Sequence, residues 1–313
     1  MMMAVSFLKH VALEVPQDRM SEAQSFYTDF GLEISSSDSV LSFRCVGREY
    51  ECLHIIPGNA KRLHHIAMGT SEEGLKEICE NIQQCGGTIM SPLEGYSDDG
   101  VWLSDPHGAI FHVVVVAREA ELPEEPEFKI NSPGNYNRVN EGALPPKSTI
   151  PALNPRRLGH VMMFTPDLDQ TIAFLEQGLG MRLSDRSQSA VAFLHCQGGS
   201  DHHVIALAQS DGIGFHHASF QMGTPDEVGL AGARMQEKWG SEGWGFGRHA
   251  IGSNFFHYVR DPWNSYLEYY CDIDYIADSD NWTATNWPLE DSLHTWGPNP
   301  PADFTKNYEA SEA

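Results

Sequence analysis

Positive charge is scarce in this chain. Lysine and arginine together number 20 among 313 residues, against 43 aspartates and glutamates, for a formal net charge of −23. A surface of that sign repels phosphate, which argues against nucleic acid or an anionic membrane as a partner. Cysteines are also few: Cys45, Cys52, Cys79, Cys85, Cys196 and Cys271, with no Cys-x-x-Cys pair. In a chain of this length they read as reduced thiols, not as a disulfide framework. Cys196 reads as a structural thiol, because nothing near it in sequence would lower its pKa. No apolar run reaches the length of a membrane span. The opening MMMAVSFLKH has neither the basic region nor the long apolar core of a signal peptide. These absences lead us to expect a cytoplasmic protein.

A repeat is present. FLKHVALEV (7–15), RLHHIAMGT (62–70), RLGHVMMFT (157–165) and GFHHASFQM (214–222) are short, partly alternating apolar runs suited to strands. Each carries a histidine at the same place: His10, His65, His160 and His217. Each is followed by a candidate helix, at 21–30, 71–84, 167–178 and 225–239. The last opens on TPDE, whose Thr, Pro and acids suit a helix start. Further strand-like runs complete each unit, among them VLSFRCV, VWLSDP, AVAFLHC, VIALAQ and FFHYVRDP. The expected unit is strand, helix, then about three strands, used four times.

The repeat pairs up at a larger scale. DPHGAIFHVVV (105–115) matches DPWNSYLEYYC (261–271) position by position. We therefore expect an α+β protein of four βαβββ modules. They pair into two domains, each a curved mixed β-sheet barrel flanked by helices. The first domain covers 1–118. A Pro-, Asn- and acid-rich extended linker follows at 119–155. The second domain covers 156–276, and a polar tail at 277–313 is held by docking, since its tryptophans suit order.

The run YLEYY (266–270) sets one carboxylate, Glu268, among aromatic residues. Buried without a partner, it would be costly. His160 and His217 on the first strands of modules three and four, with Glu268 on the last strand of module four, supply two imidazoles and a carboxylate. That set is the facial triad of non-haem Fe(II), with positions left for substrate and O₂. Singly, each has a duller reading: a strand histidine is most often hydrogen-bonded core, and a strand glutamate can face solvent. Their recurrence at equivalent points of a duplicated module favours the metal. Close to them in sequence lie His203 of DHHVIAL, His249 of GRH and Tyr258 of FFHY. A loop histidine can instead be solvent-exposed, and Tyr258 can be plain core. Alternation puts Tyr258 and Phe256 on one face and His257 on the other. His202 and His216 are assigned to faces opposite His203 and His217.

These residues together resemble the type I extradiol ring-cleavage dioxygenases of the vicinal oxygen chelate superfamily. The pattern runs through Gly247, His249, Tyr258, Asp261, Pro262 and Glu268, and includes LGHVMMFTPD, FLHC, the DHH loop and FHHASF. It spans both domains. Two departures stand out: His257 where an apolar residue is usual, and Asn264 for the usual Gly or Pro after Asp-Pro. Asn tolerates the left-handed turn conformation. The resemblance implies Fe(II), or Mn(II) in some members, held by His160, His217 and Glu268. It implies a catechol and O₂ as reactants, His203 as acid/base, and His249 and Tyr258 as hydrogen-bond partners of the substrate oxygens. It also implies a homo-oligomer. His10, His65 and His112 occupy the matching positions of the first domain, either as a second metal site or as ordinary hydrogen-bonded rings, and the resemblance favours the rings. The alternatives are a homoprotocatechuate-type 2,3-dioxygenase, another enzyme on the same modules such as a glyoxalase-type isomerase or thiol transferase, and a non-catalytic binding protein. Only Arg260 and Lys306 are basic after Arg248. That scarcity favours a neutral, alkyl- or aryl-substituted catechol over one bearing a carboxylate, unless Arg182 or Arg186 reaches the pocket.

Overall fold

The computed structural model describes residues 5–37, 40–120, 131, 136, 139–140, 142, 146–240 and 242–310. Much of the stretch read as a linker, 119–155, lies outside the described residues. The first module is β1 (Phe7–Pro16), α1 (Met20–Asp29), β2 (Glu33–Ser37), β3 (Leu41–Arg44) and β4 (Glu51–Gly58). The second is β5 (Arg62–Thr70), α2 (Glu72–Asn81), β6 (Thr88–Met90), β7 (Val101–Ser104) and β8 (Ile110–Val115). The third is β9 (Arg157–Thr165), α3 (Leu168–Gln177), β10 (Met181–Ser187), β11 (Val191–Cys196), the short β12 (Ser200–Asp201) and β13 (Ile205–Gln209). The fourth is β14 (Gly214–Gln221), α4 (Pro225–Trp239), β15 (Trp244–Arg248), β16 (Phe255–Arg260) and β17 (Tyr266–Cys271). Two short strands follow, β18 (Tyr275–Ile276) and β19 (Thr285–Asn286).

Local chemistry sets the helix starts. Ser71, Asp167 and Thr224 cap α2, α3 and α4, each side-chain oxygen accepting from an amide of the first turn. Pro225 follows the last cap, and Gly240 ends α4 at φ 63°. Within each module the first and last long strands pair in parallel, as β1 with β4 and β14 with β17. Such a pair needs a crossover connection, and the helix supplies part of it.

The modules join through their first strands. Strand order is β2-β3-β4-β1-β5-β8-β7-β6 in one mixed sheet and β15-β16-β17-β14-β9-β13-β11-β10-β19 in the other. The duplication is visible in the register. Ala67 on β5 lies between His10 and His112, its partners on β1 and β8. Ser219 on β14 lies between His160 and Glu268, its partners on β9 and β17. The two halves share one apolar core. Tyr269 stacks on Phe30 with centroids 4.0 Å apart and donates its hydroxyl to the Phe30 carbonyl at 2.7 Å. Among the described residues no helix is long and apolar enough to cross a membrane.

All of β17 is buried, and Glu268 is fully out of solvent. On the neighbouring β16, Phe256 and Tyr258 pack together while His257 turns to α4, where a Cβ on Gly232 would strike its ring. Asn264 takes the left-handed conformation at φ 70°, and the Asp261 carboxylate accepts from the amides of Trp263 and Ser265 around it.

Both ring nitrogens of His257 are buried without a hydrogen-bond partner. Burial holds its pKa down at about 4, from an ordinary 6.5. The folded chain therefore keeps this ring neutral, whereas the unfolded chain protonates it below about 6.5. The stabilisation is whole above that pH and is lost as pH falls toward 4, up to about 3 kcal/mol. His257→Leu should remove this part of the acid sensitivity and raise stability at neutral pH by about 1 kcal/mol, because a buried unsatisfied ring is replaced by an apolar one. Urea titrations from pH 4.5 to 7.5 would read both; identical pH profiles for the two proteins would contradict it.

Candidate metal centre

Three strands bring three donor atoms together. His160 comes from β9, His217 from β14 and Glu268 from β17. Their relevant side-chain atoms lie within 4.8 Å of one another, and all three residues are buried. His160 Nε2 is 3.1 Å from Glu268 Oε2, His217 Nε2 is 3.6 Å from the same oxygen, and the two Nε2 atoms are 3.3 Å apart. Glu268 Oε2 nevertheless has no partner in hydrogen-bonding geometry, and neither has His160 Nδ1. A buried carboxylate oxygen left so is expensive unless a cation meets it. The triangle of these atoms has a circumscribed radius of roughly 1.9 Å, small enough for one divalent ion to reach all three donors at once. The donor set, two imidazoles and one carboxylate, thus fits a divalent ion.

Hydrogen bonds fix which nitrogen of His217 is available. His216 Nε2 donates to the Phe304 carbonyl at 2.8 Å, which leaves its Nδ1 as an acceptor. His217 Nδ1 lies 2.7 Å from it and must donate. The lone pair of His217 is therefore on Nε2, toward the triangle. Burial, then neighbouring His216, holds the His217 pKa well below 6.5, so the ring is neutral, as a ligand must be. Burial would raise the Glu268 carboxyl, but the His160 and His249 imidazoles against it bring it below its usual range. Asn254, fully buried, donates to Glu268 Oε1 at 3.2 Å and holds the carboxylate from the other side.

A cavity lies against the two imidazoles of the triangle. His203, His249 and Tyr258 line it together with His160 and His217. The His203 ring is 4.2 Å from that of His160, centroid to centroid. Burial, then His160 and His202, holds its pKa well below 6.5, so it is an unprotonated base at neutral pH. His249 Nδ1 donates to the Leu293 carbonyl, so its Nε2 accepts from the Tyr258 hydroxyl at 3.0 Å. Burial and the Glu268 charge raise the Tyr258 pKa well above 10, so it remains a phenol. Apart from Ser292 the remaining lining is apolar, with Met162, Val191, Phe193, Ala206 and Trp244 from the sheet, Ile251 from the turn between β15 and β16, and Leu293 and Phe304 from the tail. Among the described lining residues none is Lys or Arg. Arg186 is turned away onto Asp169 at 2.8 Å, and Arg182 lines a separate cleft beside Glu176 and Gln177.

The sequence reading missed several participants. His202 and His216 do not take opposite faces from their neighbours: each hydrogen-bonds the next histidine through Nδ1. A bulge in β14 between Phe215 and His217 breaks strand alternation, and His202 and His203 lie off the strands altogether. The signal was the doublet itself, which occurs at His64–His65, His202–His203 and His216–His217. Asn254, Leu293 and Phe304 carried no such signal. Cys196 is buried and its pKa is pushed up to about 12, in keeping with a structural thiol.

The first half lacks an equivalent triangle; among the described residues only His160, His217 and Glu268 gather three donors. His10 and His65 approach each other at 3.0 Å through Nε2. His112 instead donates to the Asp99 carbonyl at 2.7 Å and stacks on Trp102 at 4.0 Å. Trp102 stands where Tyr258 stands in the second half, directly across the strand pair from the third position. Its indole holds the His112 ring away from the other two.

Residues 157–269 match the family described as the Glyoxalase/Bleomycin resistance protein/Dioxygenase superfamily. Metapyrocatechase 2 of Cupriavidus necator is 36% identical over 312 residues, covering 98% of this chain and 93% of that protein. The manganese-dependent 2,3-dihydroxybiphenyl 1,2-dioxygenase of Geobacillus genomosp. 3 is 25% identical over 92% of this chain and 93% of its own. In fold, the chain superposes on 2,2′,3-trihydroxybiphenyl 1,2-dioxygenase of Sphingomonas wittichii with a TM-score of 0.72, at 20% identity, over 95% of this chain and 100% of that one. With paired modules, a two-histidine, one-carboxylate triangle and near full-length similarity to a metapyrocatechase, the chain belongs to the extradiol ring-cleavage dioxygenases of the vicinal oxygen chelate superfamily.

Proposed function

We propose that this enzyme cleaves a neutral catechol, unsubstituted or carrying an apolar group at position 3, with Fe(II) held by His160, His217 and Glu268. The observation that carries the substrate class is the cavity lining, mostly apolar away from the histidines and Tyr258 and without a Lys or Arg among the described residues. A carboxylate on the ring would enter it unpaired. The ligand set, two neutral imidazoles and one carboxylate, favours iron. When bound, the ion would ease ionisation of the diol and hold it beside O₂.

The chain's own groups would do the rest. His203, neutral and facing the cavity, takes a proton from one hydroxyl of the diol and returns it later. The Tyr258 hydroxyl oxygen accepts from a substrate hydroxyl, and His249, which takes the Tyr258 O–H at 3.0 Å, fixes where that oxygen sits. Leu293 and Phe304 of the tail cover the ring and keep water from the reacting carbons. The carbon–carbon bond beside the diol breaks, and both oxygen atoms enter the product, a hydroxymuconic semialdehyde or ketone.

A second reading keeps the residues and substitutes Mn(II); its support is the relative named manganese-dependent. Metal analysis of protein grown with both ions separates the two readings. The substrate class is tested by comparing 3-methylcatechol with 3,4-dihydroxyphenylacetate. We expect kcat/KM to favour 3-methylcatechol by at least about 100-fold, because burying the unpaired carboxylate costs several kcal/mol. Equal or better turnover of the acid would overturn it.

A further inference from the structure

We propose that Asp185 and His202 are positioning residues that set the tautomer of His203, so that its cavity-facing nitrogen is the unprotonated one. This rests on the acid/base role proposed above for His203. Three contacts carry it. Asp185 Oδ2 lies 3.0 Å from His202 Nε2, and His202 Nδ1 lies 3.0 Å from His203 Nδ1. The other carboxylate oxygen, Oδ1, accepts the backbone amide of Thr285 at 2.6 Å. All three side chains are nearly inaccessible, Asp185 and His203 at 4% exposure and His202 at 0%.

Proton bookkeeping along this line has one neutral solution. A carboxylate can only accept, so His202 carries its proton on Nε2. Its Nδ1 is then an acceptor, and the bond to His203 requires His203 to donate from Nδ1. The His203 lone pair is left on Nε2, the nitrogen available to a hydroxyl in the cavity. The opposite tautomer would present an N–H there and could not take a proton. His216 solves the same problem for His217, with the Phe304 carbonyl in place of the carboxylate. The arrangement is a second use of one device: an outer histidine, anchored to a fixed acceptor, dictates the inner one. It also gives the tail a role, since β19, which carries Thr285, pairs with β10 beside Asp185.

The Thr285 amide makes the proposal testable. In Asp185→Asn that N–H still needs an acceptor, so the amide oxygen stays with it and the NH₂ group faces His202. Both rings must then invert, and His203 presents Nε2–H to the cavity. We expect kcat to fall at least about 100-fold, with KM for 3-methylcatechol within threefold of wild type and metal content unchanged. A kcat within threefold of wild type would overturn the proposal. A direct readout uses the full chain loaded with diamagnetic Zn(II) and labelled with ¹³C-histidine. The ring-carbon shifts should report Nδ1–H for His203 and Nε2–H for His202 in the wild type. Asp185→Asn should invert both. Nε2–H on His203 of the wild type, including the case in which His202 carries both protons, would overturn the proposal even if the variant failed to fold. His203→Phe separates the two ideas: if it turns over normally, the acid/base role is wrong, whatever the tautomer.

Discussion

Glu268→Ala should lose its metal and its activity together. The carboxylate is the only anionic member of the triangle and is fully buried, and an imidazole can bind an ion only as a neutral donor, contributing no charge. Removing one of three protein ligands, and the only negative one, should weaken divalent-ion binding by at least about 1,000-fold. After anaerobic loading and desalting, the variant should hold less than about one-tenth of an ion per chain and give no ring-cleavage product. Glu268→Gln should fail similarly, although it can keep the contact with Asn254, because an amide oxygen carries no charge to balance the ion. Normal metal content in either variant would remove Glu268 from the ligand set. The fold should survive, since the smaller side chain also removes a buried carboxylate oxygen that has no hydrogen-bond partner of its own.

His203→Phe should behave oppositely: full metal content with kcat lowered about 100- to 10,000-fold, the range over which a positioned acid/base acts. The ring lies against His160 and Phe193, so phenylalanine fills the same space and keeps the apolar wall. KM for a catechol should change little, because the ion and the His249–Tyr258 pair remain. Loss of metal in this variant would mean that His203 supports the centre structurally; unchanged kcat would mean that another group moves the proton. With Glu268→Ala, the two results separate holding the ion from using it.

Much of this was legible in the sequence. The repeated strand histidines fall in register because each half centres on a residue two beyond the histidine of its middle strand, Ala67 in one and Ser219 in the other. That pairing is a property of the module, so a match in sequence implied a match in space. Glu268 stood out as a lone charge in an apolar strand, and its strand is buried throughout. What could not be read was set by irregular backbone. Strand alternation assigned His202 and His216 to far faces, but a bulge and a loop place them beside their neighbours. Leu293 and Phe304 reach the cavity through a tail with little regular structure and no periodicity to announce a face. The silence of the first half also needed coordinates: His112 has the right residue type in the right slot, but Trp102 and the Asp99 carbonyl hold it elsewhere.

The most direct test is the purified enzyme loaded anaerobically with one Fe(II) per chain, then given O₂ with catechol, 3-methylcatechol and 2,3-dihydroxybiphenyl. We expect a yellow ring-cleavage product, followed by absorbance, from at least one of the three, and none from the metal-free protein. No yellow product from any of them, in protein shown to retain its single Fe(II), would contradict the assignment of this centre as the site of ring cleavage.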